Sequence, residues 1–110
     1  MPRTRRLALL VVLALAAAAC GSVLSVGREF PSPPRDAIRN GQTTKTDLIR
    51  LLGEPTEVGV EDGDPAWRWI YFKKGSPDLS KNLSVRFDAA GRVKSYSFSS
   101  NFPEDMKALR

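Results

Sequence analysis

The segment GQTTKTDLIRLLGEP, Gly41 to Pro55, constrains the fold more than any other stretch of the chain. Thr44, with Asp47 three residues on, has the form of a capping box, and Thr43 is the neighbouring N-cap candidate. Leu48, Leu51 and Leu52, with Ile49 beside them, fall at the i, i+3, i+4 spacing of one apolar face. Gly53 offers a left-handed stop, and Pro55 blocks continuation. A helix of about nine residues barely repays its own nucleation. It must lie on a larger apolar surface, which the rest of the chain has to supply.

Three downstream runs do so: AWRWIYFK, LSVRFD and RVKSYSFS, each rich in aromatic, β-branched or alternating residues and separated by Gly- and Pro-containing loops. Leu83, Val85 and Phe87 alternate with Ser84, Arg86 and Asp88, as in a sheet with one buried face. Asp88 to Arg92, DAAGR, reads as a hairpin connection with Gly91 at a position of positive φ. Upstream, PPRDAIRNG predicts another short helix, with Pro34 in its first turn, Ile38 as its apolar residue and Gly41 as its stop. The order α, α, β, β, β belongs to the α+β class: a helical hairpin packed on a three-stranded antiparallel sheet. This domain is expected over residues 35–100, with 101–110 as a C-terminal tail.

Residues 1–19 read as a separate leader. Arg3, Arg5 and Arg6 precede an apolar run from Leu7 to Ala19, the pattern of a secretory signal. Thirteen helical residues rise only about 20 Å, short of a hydrocarbon core of roughly 30 Å, so export is favoured over a permanent span. Cys20 ends this run and is the only cysteine. LALAAAAC resembles a bacterial lipobox, in which such a cysteine is acylated and becomes the mature N-terminus, and the lone cysteine's placement favours it. Ala17 and Ala19 also satisfy ordinary signal peptidase, which would release a soluble protein. Acylation by several chains anchors durably where one chain binds only marginally, and Gly21 resembles the residues that permit sorting to the outer membrane. Residues 20–34 then form a lipidated tether rich in Ser, Gly and Pro. Val23, Leu24, Val26 and Phe30 are its members able to pack on the domain or on a partner.

Charge and chemistry narrow the function. Three of the 17 basic residues lie in the leader, leaving 14 against 12 acidic ones, a net of +2 for residues 20–110. The signs alternate and form no basic stripe, so nucleic acid is not an expected partner. The chain has no histidine and no second cysteine, which removes the commonest general base and metal ligands. Glu57, Glu61, Asp62 and Asp64 gather in EVGVEDGDP, but they lack the spacing of a calcium loop. Nothing supports them as a glycosidase pair either, and a solvated loop is expected. No catalytic residue, metal or cofactor is assigned.

The remaining candidates lie on the first expected strand. Trp67, Trp69 and Tyr71 share one face, and Ile70 and Phe72 the other. Either the helices and sheet edge cover both faces, or one face is a docking surface rimmed by Arg68, Lys73, Lys74, Arg86 or Lys94. On the second reading the partner-binding residues are Trp67, Arg68, Ile70, Phe72 and Arg86.

Ile38, Gly41, Thr43 and Thr44, Leu48, LLGEP at 51–55, the Trp-x-Tyr of Trp69 and Tyr71, and LSVRFDAAGRV at 83–93 together resemble the SmpA/OmlA domain. This is the BamE-like family of small outer-membrane lipoproteins, and the likeness covers roughly residues 36–98. The resemblance implies a helix pair on a three-stranded antiparallel sheet. It also implies a non-catalytic accessory role at the periplasmic side of the outer membrane, with envelope proteins such as the β-barrel assembly machinery as partners. The alternative is a periplasmic enzyme-inhibitor module, since β-lactamase inhibitory proteins are similar to an αα-βββ unit and grip an enzyme with the sheet face. An envelope hydrolase lacks a motif-quality nucleophile here.

Overall fold

The computed structural model describes residues 24–110. The leader, Cys20 and the expectations of export and lipidation lie outside the described residues.

The punctuated helix, α1 (Lys45–Leu52), is capped as expected. Thr44 Oγ1 accepts from the Asp47 N–H at 3.2 Å, and Asp47 Oδ2 accepts from the Thr44 N–H at 3.0 Å. The Thr44 N–H first, and then the Thr44 hydroxyl, hold the Asp47 carboxyl below its ordinary range. Leu48 and Leu52 are buried, each contributing about 1.5–3 kcal/mol. Leu51 is exposed, although its spacing put it on the same face. Gly53 ends the helix at φ 81°, ψ −171°. This is not the αL stop expected, but a more extended region essentially reserved for glycine.

The helix expected around Pro34 to Asn40 is a turn, so there is no helical hairpin. Ala37 N–H reaches only the Pro34 carbonyl, at 3.0 Å. Arg39 N–H donates to Thr43 Oγ1 at 2.8 Å, and Gly41 N–H donates to the Val93 carbonyl at 2.7 Å. A side chain and a neighbouring strand thus take the donors that a helix of this length could not organise.

The sheet has five antiparallel strands where three were expected. Strand β3 (Asp64–Lys73) pairs with β4 (Leu79–Phe87), which pairs with β5 (Val93–Ser100). Two short strands share the opposite edge of β3. Strand β2 (Glu57–Glu61) pairs with its first half, and β1 (Ser25–Gly27) with its last residues. The acidic stretch expected as a solvated loop is therefore the β2–β3 hairpin. Its two-residue turn, Asp62 at φ 51° and Gly63 at φ 82°, has the paired left-handed residues of a type I′ connection. β1 arises within the expected tether because Gly27 lets the backbone approach β3; any Cβ there would collide with the Ile70 carbonyl. The hairpin expected at Asp88 to Arg92 is present: Gly91 has φ 77°, and Asp88 Oδ1 accepts from the Ala90 and Arg92 N–H groups at 2.9 and 3.0 Å.

One face of the sheet forms the core. Trp69, Tyr71, Leu83, Val85, Phe87 and Val93 are buried there against Leu48, Leu52, Ile38 and Phe30. Trp69 Nε1 donates to the Gly53 carbonyl at 3.0 Å, tying the end of α1 to β3. A last helix, α2 (Pro103–Leu109), follows β5. Its Asp105 Oδ2 accepts from Ser100 Oγ at 2.6 Å and from Ser32 Oγ at 2.8 Å, so the segments flanking residues 35–100 are bonded to each other across the core face. Among the described residues, no helix is long and apolar enough to cross a membrane.

Candidate functional site

Strand alternation divides the sheet cleanly. Asp64, Ala66, Arg68, Ile70 and Phe72 of β3 stand on the face away from the helices. Ladder register sets Arg86 opposite Ala66, Ser84 opposite Arg68, Asn82 opposite Ile70 and Ser80 opposite Phe72. Ser95, Ser97 and Ser99 of β5 complete the face. Both helices and the N-terminal segment pack on the other side, through Leu48, Leu52, Asp105 and Phe30. Arg68 is exposed on this open face, and Ile70 and Phe72 are half-buried.

Four of the five expected contact residues, Arg68, Ile70, Phe72 and Arg86, are thus brought together. Trp67 is not among them. The two-residue period sends it to the core side, where its ring meets Phe87 edge-on at 5.0 Å and Trp69 at 6.0 Å. Lys45 Nζ lies 5.4 Å above it. Trp67 therefore helps to seat α1 on the sheet. Of the basic rim, Lys73 falls on the core side, while Lys94 is the extra residue where the β4–β5 register shifts beside Phe87.

That shift aims Lys94 at the open face, where Asp64 holds two cations. Lys94 Nζ is 3.0 Å and Arg86 Nη2 2.6 Å from Asp64 Oδ2, and Asp62 approaches Arg86 Nη1 at 3.9 Å. The bonds from Lys94 and then Arg86 hold the Asp64 carboxyl below its ordinary value, while the bond to Asp64 raises the pKa of Arg86. Arg68 makes a looser pair with Glu57, 3.2 Å apart with both side chains about half exposed. Arg86 is therefore a structural element of the hairpin as well as a surface cation. A depression of about 220 Å³ beside it is lined by Glu61, Ser84, Ser95 and Ser97.

The face offers a short apolar row flanked by charge and hydroxyl groups, suited to binding another surface. Among the described residues, no three His, Cys, Asp or Glu side chains converge as a metal site. The serines were readable in principle, since SYSFSS alternates strictly, as were Val58 and Val60 in EVGVE. Neither stands out in the sequence, because small polar residues and a Gly-interrupted run carry weak strand signals.

A family model described as the outer membrane protein assembly factor BamE domain matches residues 32–97. No curated protein and no solved structure matches the chain.

Proposed function

The chain belongs to the family of outer membrane protein assembly factor BamE domains, and on that premise we propose that it is a non-catalytic lipoprotein of the outer membrane. It faces the periplasm from an acyl anchor at Cys20 and assists the β-barrel assembly machinery. It meets its protein partner with the open face of the sheet, through Arg68, Ile70 and Phe72, with Arg86 at the margin. The observation that carries this reading is the family match across residues 32–97, which favours assembly over the enzyme-inhibitor alternative. The uncovered apolar row of Ile70 and Phe72 beside an exposed arginine supports the choice of face, since aromatic residues and Arg are over-represented in interface centres.

The test is affinity isolation of the tagged full chain from detergent-solubilised outer membranes, with bound proteins identified by mass spectrometry. Barrel-assembly components are expected with the wild type. Cys20→Ser is expected to move the chain to the soluble periplasmic fraction or stall its processing. The double change Arg68→Glu, Phe72→Ser is expected to lose the partners while the protein remains folded. Recovery of no assembly component overturns the function, and unchanged recovery with the double variant overturns the choice of face.

A further inference from the structure

Among the described residues, the outer side of β2 is one of the free edges of the sheet, together with the outer sides of β1 and of β5 beyond Val93. The opposite edge of β3 is fully occupied: β2 pairs along its first half, β1 along its end, and Thr56 fills the gap between them. Thr56 Oγ1 accepts from the Ile70 N–H at 2.9 Å and lies 3.3 Å from the Ile70 carbonyl oxygen, doing for that residue what a paired strand would do. The start of β5 is covered as well, with Val93 bonded to Gly41 and Thr43. Among the described residues, nothing pairs with the outer side of β2.

Which backbone groups face that free side follows from Pro65. Pro65 is opposite Val60 and has no N–H, so the bonded pairs of the hairpin are Glu61 with Asp64, then Gly59 with Ala66. The alternate residues, Val58 and Val60, therefore present N–H and C=O groups outward. Their side chains are 68% and 76% exposed. Natural edges are usually blunted by lysine, proline or a bulge. The five residues of β2 contain none of these, and their register with β3 is regular.

What the edge does carry is negative charge at a fixed spacing. Glu57 and Glu61 project on the opposite side from the valines, with Asp62 following, and among the described residues Glu61 makes no ion pair. A second copy is a poor occupant. Antiparallel self-pairing about Gly59 sets Glu57 against Glu61 at both ends, and parallel pairing sets like against like, which is destabilising in a sheet. Between the carboxylates Gly59 leaves the surface without a side chain. A depression of about 260 Å³ there is lined by Glu57, Gly59, Glu61, Ala66 and Arg68.

We propose that β2 is a strand-addition site that takes an extended segment of a partner protein. The segment has apolar residues beside Val58 and Val60, basic residues beside Glu57 and Glu61, and a large side chain over Gly59. Main-chain bonds to Val58 and Val60 supply the affinity, and the alternating side chains supply the selectivity. This inference can fail independently of the proposed function because it is read at the outward amides of Val58 and Val60, although Glu57, Gly59 and Glu61 border the open face beside Ala66 and Arg68.

The probe is a capped peptide in which lysine, valine, phenylalanine, valine and lysine alternate in that order, mixed with the full chain in detergent and followed by amide hydrogen exchange. Slowed exchange at the Val58 and Val60 amides is expected. Replacing the two lysines by glutamate is expected to weaken binding at least about fivefold, given the usual worth of cross-strand charge pairs. N-methylating the peptide's bonding amides is expected to abolish it without touching the protein. Val60→Pro removes an outward N–H that β3 does not use, and is expected to abolish peptide protection with an unchanged melting temperature. Should Val60→Pro unfold the chain, the double variant Glu57→Lys, Glu61→Lys carries the test by reversing the preference toward the glutamate peptide. Unprotected Val58 and Val60 amides, protection confined to the open face, or peptide-free dimerisation through this edge would each overturn the proposal.

Discussion

The ammonium of Lys81 lies 4.9 Å from the ring centroid of Phe30, although the two residues are 51 positions apart in the chain. The Phe102 ring centroid is 5.0 Å from the same ammonium, and Lys81 Nζ also donates to Ser32 Oγ at 3.3 Å. Lys81 is 6% exposed. A cation so placed joins the N-terminal segment, the sheet and the entry to α2. Phe30→Ala is expected to destabilise the fold by about 3 kcal/mol, and Lys81→Met by about 1 kcal/mol through loss of the cation–ring contacts. Urea titrations of the two variants check both values, and Lys81→Met as stable as the wild type would leave the cation no energetic role.

Gly53 holds a backbone conformation that side chains rarely tolerate, with nothing near its missing Cβ. Gly53→Val is therefore a test of strain and not of crowding. It is expected to cost about 1–3 kcal/mol, and Leu52→Ala about 2–5 kcal/mol through the cavity it opens. Thermal and denaturant melts of the two variants are the measurement, and losses under about 0.5 kcal/mol for both would mean that α1 does not pack on Trp69 as described.

Thr56 substitutes for a strand residue opposite Ile70 through its hydroxyl alone. Thr56→Val keeps the shape and deletes the bonding group. A loss of about 1 kcal/mol is expected, with faster hydrogen exchange at the Ile70 amide than in the wild type. Unchanged exchange there would show that water serves the Ile70 backbone as well as the hydroxyl does.

Asp64 is held below its ordinary pKa of 3.8 by Lys94 and Arg86. A carboxyl depressed in the folded state adds stability that is present above its unfolded pKa and lost as pH falls through its folded one. The stability difference between wild type and Asp64→Asn is therefore expected to be full above about pH 5 and to shrink as pH drops below about 4. Denaturant midpoints measured across that range decide it, a pH-independent difference being the contrary result. Arg68→Ala at pH 7 is expected to stay within about 0.5 kcal/mol of wild type, since its ion pair with Glu57 is solvated.

Local physics was legible in the sequence. The Thr44–Asp47 cap, the Gly91 turn and the alternation along β4 and β5 each depend on residues a few positions apart, so the chain encodes them within a short window. The same two-residue period already separated Ile70 and Phe72 from Trp67, Trp69 and Tyr71, which is most of the candidate face. The Asp62–Gly63 turn and the alternation in EVGVE were equally local, but acidic side chains and a central glycine weaken the hydrophobic signal that marks a strand. Only the tertiary structure decided the rest. Ser32 and Asp105 are 73 residues apart, and the bond between them, with the burial of Phe30, joins the expected tether and tail on the core face. The open face is left open because Leu48, Phe30 and α2 all commit to the other side. Arg86 belongs to the hairpin through Asp64, 22 positions away. Contacts at such separations arise only when loop-closure entropy is repaid by many other contacts formed at once, so no single stretch of sequence carries them.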